Sequence, residues 1–219
     1  MNKKACSFIL LSFFLGAFGS FAQGGDLLIQ QYSKGPGLDE NYSKWTVRIG
    51  PQLNRINTDL GTTSPTLTLG SLLEFEYRLS KTVGLVSGAQ YNPISYSYNE
   101  GDSTATDRLK YIVYPLMLRL QPTNNVSLGL GIVYQAYLNG EKKIEKEEME
   151  TVTPYADGVF RNTIGGNVQL AYHLGQHFLI YGNFRWVGRT SPATQKQTNN
   201  TSGFQLGIVF RIWKSKLRL

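Results

Sequence analysis

Glu74 and Glu76 stand two residues apart in the run Leu73-Glu-Phe-Glu-Tyr-Arg-Leu79. On a strand both carboxylates share one face, with Cα atoms about 6.6 Å apart. Such a pair can divide acid and base work, as the carboxyl groups of a glycosidase do. The same pair among Arg48, Arg78, Arg119 and Arg211 would instead form an ion-paired filling, and that is the reading we favour. His173 and His177, the two histidines of the chain, flank one tight turn. A zinc site needs further ligands in fixed geometry, and a nucleophilic triad needs a base oriented by a third group. Neither constellation surrounds these histidines. The expectation is therefore no catalytic residue, no metal site and no cofactor, with the charges structural.

The elements that carry these residues read as strands. Leu73, Phe75, Tyr77 and Leu79 fall on one face of their segment, and Glu74, Glu76 and Arg78 on the other. Eight segments alternate in this way: 44–56, 66–79, 82–98, 109–120, 126–138, 159–173, 177–187 and 203–212. Three links between them are tight: Ser80-Lys81, Gln121 to Asn125, and Leu174 to Gln176. The links Asn57 to Pro65, Asn99 to Arg108, Asn139 to Gly158 and Gly188 to Ser202 are longer. Short and long connections thus alternate, as they do in outer-membrane barrels with short periplasmic turns and long external loops. Eight is also a common even strand number for such barrels.

The faces support closure. Leu, Ile, Val and aromatic residues line one side of every segment. The other side mixes glycines with Tyr111, Gln135, Asn167, Gln169, Asn183 and a charge network of Arg48, Glu74, Glu76, Arg78, Arg119, Arg161, Arg185 and Arg211. An eight-stranded interior is only wide enough to be filled by side chains, and alternating tiny with long residues fits a small barrel. Trp45, Tyr134, Trp186 and Phe210 lie near strand ends, as interfacial girdles do. Tyr91, Tyr96 and Tyr98 read as further girdle, with a ligand platform as the alternative. Pro115 lies inside a strand, where a missing N–H predicts a bulge and a local switch of parity.

The resulting expectation is an all-β, eight-stranded antiparallel up-and-down transmembrane β-barrel. Alternation alone does not say which face points inward. A secreted lipocalin-like barrel with its apolar face inside is the competing reading, and a membrane-embedded barrel enzyme a further one. The glycine-rich polar face, the girdle aromatics and the sorting of turns by end favour the membrane barrel.

Composition and termini agree. Charged residues make up 17% of the 219-residue chain, below the roughly 25% of an ordinary soluble domain. A mean hydropathy of −0.23 argues against a helical membrane bundle and leaves a barrel open, since half of each barrel strand is polar. Lys3 and Lys4, the apolar run Phe8 to Phe18 and Ser20-Phe21-Ala22 read as a signal peptide, 1–22, cleaved before Gln23. An N-terminal periplasmic extension, 23–43, a barrel, 44–212, and a periplasmic tail, 213–219, complete the expected organisation. Cys6, the one cysteine, leaves with the signal, so no disulfide is expected. The formal charge of +7 falls to +5 without Lys3 and Lys4. Its lysines and arginines are scattered singly, which excludes a nucleic-acid footprint. Outer-membrane lipid is the expected surrounding, and no small ligand suggests itself. The charged run Glu141, Lys142, Lys143, Glu145, Lys146, Glu147 and Glu148 falls in the longest external link. It reads as a short helix or a charged extension of the hairpin, and as a candidate contact surface.

The signal ending in Ala-Gln, the segment Tyr111-Ile-Val-Tyr-Pro-Leu-Met-Leu-Arg-Leu120 and the closing Gly203-Phe-Gln-Leu-Gly-Ile208 resemble the outer-membrane β-barrel family typical of Bacteroidota, which includes the PorT-like proteins. The similarity covers roughly residues 44 to 212. It implies an integral outer-membrane barrel, and for the PorT-like branch a part in a protein secretion or envelope complex with protein partners.

Overall fold

The computed structural model describes residues 43–59, 63–101, 103–146, 149–175, 177–191 and 200–216. The expected signal peptide, nearly all of the N-terminal extension, and Glu147 and Glu148 lie outside the described residues.

Alternating sequence becomes strand throughout. The elements are β1 (Ser43–Thr58), β2 (Ser64–Thr66), β3 (Thr68–Arg78), β4 (Val83–Glu100), β5 (Ser103–Leu120), β6 (Val126–Lys146), β7 (Met149–Pro154), β8 (Thr163–Leu174), β9 (Phe178–Gly188) and β10 (Asn200–Lys216). Eight of them close a ring of antiparallel neighbours in the order β1, β3, β4, β5, β6, β8, β9, β10. The ring is shut by β1 against β10, with Ile49 opposite Phe210 and Leu53 opposite Leu206. Closure leaves no unpaired edge around the wall. Short β2 adds to β4, and β7 adds to β6 where β8 has not yet begun.

The pleat decides the environment of every side chain. Leu130 and Phe204 are 65% and 69% exposed, whereas Arg119 and Asn167 are 1% and 0% exposed. Exposed leucines, isoleucines and aromatics continue from strand to strand as a collar, as at Ile49, Phe75, Leu116, Leu170 and Ile208. A water-soluble protein rarely exposes a contiguous apolar patch beyond a few hundred Å², and here the apolar surface encircles the barrel. The protein is a transmembrane barrel with its polar face inward, and the lipocalin-like arrangement is excluded. The collar ends above Ile112 on β5, where outward positions become Lys110 and Arg108.

Four local expectations are corrected. Asn99 to Arg108 is no long link: β4 and β5 pair out to Glu100 opposite Ser103, around Gly101 at φ +63°. The strands continue because polar alternation past the collar still satisfies a ladder. Of the two forms expected for the charged run, the extension of the hairpin is the one found: 141–146 continue β6, with Lys143 opposite Val152 of β7. Pro115 produces no bulge and no parity switch. It stays in register with Val133 and points inward, and the β4–β5 ladder has the same offset on either side of it. Its missing N–H falls in a gap of that ladder opposite Gly88; the nearby register shift is instead between Lys110 and Tyr111. Finally, β10 runs to Lys216, beyond the expected end at Ile212, and β8 begins at Thr163, after the expected Val159.

Candidate functional site

At the end of the barrel that carries the tight turns, the inward faces of β1, β3 and β5 bring four charges together. Register places Arg48 opposite Glu74, and Arg119 across β4 from the same strand. Arg48 Nη1 donates to Glu74 Oε1 at 2.7 Å and to Glu76 Oε2 at 2.5 Å. Arg119 forks onto Glu74, with Nη1 at 2.8 Å from Oε1 and Nη2 at 2.8 Å from Oε2, and its Nη1 reaches Glu76 Oε2 at 2.9 Å. Arg78 Nε adds a contact to Glu76 Oε1 at 3.2 Å and Nη2 binds Gln121 Oε1 at 2.5 Å. Both carboxylates are buried and all four of their oxygens accept from guanidinium groups. Each carboxylate is tied to guanidinium groups from other strands, so the pair cross-links the wall. Gly84 makes the room, since a Cβ there would lie 2.9 Å from Glu76 Oε1.

The middle layer is made of amides. Gln205 Nε2 donates to Asn54 Oδ1 at 2.8 Å and Asn92 Oδ1 at 3.1 Å, and the Tyr181 hydroxyl to Gln52 Oε1 at 3.0 Å. Gly207 admits the Tyr181 ring, which would meet a Cβ at 2.4 Å. Arg185 lies in this layer, hydrogen-bonded through Nη2 to Gln90 Oε1.

The end with the long connections is closed by an apolar and aromatic cluster: Ile56, Ile94, Tyr96, Leu109, Tyr111, Val113, Val133, Phe160 and Val187. Phe160 comes from the connection between β7 and β8 and meets Tyr155 edge-on at 5.0 Å and Tyr137 at 5.3 Å between ring centroids. A carboxylate is set into this cluster. Asp107 Oδ1 accepts from the Tyr155 hydroxyl at 2.7 Å and from the Tyr98 hydroxyl at 3.5 Å. Burial holds the Asp107 pKa above the ordinary aspartate value; hydrogen bonds from Tyr155, Tyr96 and Tyr98 and the charge of Lys142 act in the opposite direction without overcoming it.

Of the expected network, Arg48, Glu74, Glu76, Arg78 and Arg119 meet. Arg211 lies half-buried at the same end, and Arg185 stands apart in the middle layer. Arg161 is not in the lumen but exposed, because it precedes the first residue of β8 and strand parity does not reach it. Its neighbour Phe160 takes the interior instead. Trp45 meets Tyr77 in a tilted pair at 4.4 Å and Phe210 meets Phe178 edge-on at 4.9 Å, forming part of a lower aromatic band on the outer face. Tyr134 lies 6.3 Å from Tyr114, and Trp186 6.1 Å from Phe184, nearer the other end. Tyr91 also faces outward, but Tyr96 is buried in the lumen, so those tyrosines are not one girdle.

In the charged hairpin, Lys143 Nζ bridges Glu145 at 2.6 Å and Glu150 at 3.0 Å; hydrogen bonds from these two raise the lysine pKa. Glu141 approaches Arg108 at 3.6 Å. Lys142 turns towards the mouth, 5.6 Å from the centroid of the Tyr98 ring. Lys146 ends β6 opposite Met149.

Sequence reasoning missed Asp107, because β5 was expected to begin only at Leu109. The even spacing of Ala105, Asp107, Leu109 and Tyr111 is the signal that would have found it. It also missed a contact between Ser127 Oγ and His173 Nε2 at 3.4 Å. Among the described residues no carboxylate is hydrogen-bonded to that imidazole, so the two do not extend to a triad.

No protein-family model and no curated protein sequence matches the chain. Among solved structures it is similar to Ail, the attachment invasion locus protein of Yersinia pestis, at 13% identity over 78% of this chain and 99% of that one, with a TM-score of 0.45. Neisserial surface protein A is 11% identical over 78% of this chain and 98% of that one, with a TM-score of 0.44. The outer membrane protein OprG from Pseudomonas aeruginosa is 14% identical over 82% of this chain and 98% of that one, also with a TM-score of 0.44.

Proposed function

We propose that the protein is an integral outer-membrane barrel that serves as a scaffold or interaction component, neither an enzyme nor an open pore. The observation that carries this reading is the filled lumen beneath raised hairpins. An ion-paired layer blocks one end and an aromatic cluster the other, while β4, β5, β6 and β7 carry the wall past the lipid collar. A rigid scaffold with projecting elements concentrates recognition on those elements. The tight turns and both ends of the barrel chain then face the periplasm, and the charged hairpin faces outward. The resemblance to the PorT-like proteins supports a place in a protein secretion or envelope complex.

A photoreactive residue at Val152, on the exposed face of β7, tests the interaction role in intact cells. A defined envelope-protein adduct is expected there, and none from the same probe at Leu130 in the lipid collar. A variant with β6 and β7 joined directly after Gly140 should fold yet lose the adduct and the associated secretion. Full activity of that folded variant would overturn the reading, and so would stepwise ion conductance of the purified barrel in a planar bilayer.

A further inference from the structure

Arg185 is a buried cation that makes no ion pair among the described residues. Among the described residues, the lumen within the collar holds Arg48, Arg78, Arg119, Arg185 and Arg211 against Glu74 and Glu76, an excess of three positive charges (5 − 2). Arg48 and Arg119 are bound by both glutamates, and Arg78 and Arg211 lie at the turn end where water reaches them. Arg185 alone of the five is both buried, at 2% exposure, and without an ion pair among the described residues. It cannot discard its charge, because a guanidinium stays protonated in proteins. A buried charge left unpaired is strongly unfavourable.

The surrounding chemistry offers donors. Arg185 Nε and Nη1 have no protein partner, and neither do Asn183 Nδ2 on the same face of β9 nor Asn54 and Asn92 Nδ2, which meet at Gln205 opposite Asn183. The unpartnered oxygens nearby, such as Asn183 Oδ1 and Gln205 Oε1, belong to neutral amides and bring no counter-charge. Space is bounded on both sides. Val187, one inward step along β9, belongs to the aromatic cluster, and the Glu74–Arg119 layer closes the other end. Packed layers of an eight-stranded lumen leave no place for a large ligand.

We propose that the middle of the lumen binds a small monovalent inorganic anion of the halide class on Arg185 Nε and Nη1, as a structural counter-ion. The site accounts for a cation that the ion-paired layer leaves over, and it is independent of the proposed interaction role.

The test uses the full barrel in detergent micelles, unfolded by heat in sodium chloride, sodium bromide or sodium gluconate at equal ionic strength. Chloride and bromide should raise the midpoint saturably over gluconate, and this gain should vanish in Arg185→Gln but persist in Arg211→Gln. Equal halide gains in wild type and R185Q would overturn the proposal. Should R185Q fail to fold, crystals of the wild type grown in bromide decide the matter. An anomalous peak within hydrogen-bond distance of Arg185 Nε or Nη1 is expected, and its absence would sink the site.

Discussion

The two ends of the lumen solve one filling problem with opposite chemistries. At the turn end, four buried charged side chains and Arg78 at the rim interlock in six contacts of 3.2 Å or less. At the loop end, the filling is apolar and aromatic, with a single buried carboxylate hydrogen-bonded to tyrosines. The difference lies in what supplies the side chains. The turn-end layer comes entirely from strands of the wall, β1, β3 and β5, so register can align long charged groups. The loop end draws Tyr155 and Phe160 from the connection between β7 and β8, and a connecting segment docks best through non-directional apolar contact. Removing one member of an ion-paired layer strands a charge, whereas removing one ring leaves a gap that neighbours partly refill.

The comparison can be broken most forcefully at Glu76. Glu76→Lys would place a further cation among Arg48, Arg78 and Arg119, and we expect the folded barrel not to form. Heat-modifiable gel mobility after expression or refolding reads this out, and a normally folded E76K would refute the account of the turn end. Next in size is Glu74→Gln, which leaves Arg119 with one of its three carboxylate contacts. It should lower unfolding stability by about 3–5 kcal/mol, measured by urea titration in lipid vesicles. Phe160→Ala should cost about 3 kcal/mol or less, and the loss should be local. Hydrogen exchange ought to rise in β7 and in the outer ends of β4 and β5 while β1 and β3 stay protected. Equal loosening of both ends would show that the two fillings are coupled.

A smaller effect concerns Asp107. Its folded pKa is raised above 3.8, the value expected without burial. Between the unfolded and folded values the native state binds more protons, so stability falls as pH rises through that window and is regained on acidification. Protection factors of amides around the loop-end cluster, which remove the intrinsic pH dependence of exchange, should rise as pH is lowered into the acidic range, and Asp107→Asn should flatten the dependence. A wild-type profile of the reverse slope would contradict the burial argument. The smallest change is expected from Glu150→Gln, which loosens the exposed bridge to Lys143 and should leave the unfolding midpoint in urea almost where it is in wild type.

The turn-end network was largely legible in the sequence because its members sit inside long, regular alternations. Once Leu73 to Leu79 is a strand, Glu74 and Glu76 share a face, and Arg48 and Arg119 fall at matching heights. Arg161 was misplaced for the complementary reason. It stands two residues before β8 begins, and parity has no meaning outside a ladder. Asp107 escaped because polar residues near Asn99 to Arg108 read as loop, although they continue two strands beyond the lipid. Pro115 shows a subtler limit: a proline in a strand predicts a disturbed ladder, and a gap in one ladder is a milder solution than a bulge.

By itself, the sequence determined the elements, the two faces of each strand and the closed eight-stranded count, since a period of two and the lengths of the links are local properties. Only the tertiary structure decided that, of the arginines expected in one network, Arg48, Arg78 and Arg119 reach the glutamates while Arg185 stands apart and Arg161 lies outside the lumen. Those outcomes depend on register and shear between strands far apart in the chain, and no local pattern encodes them.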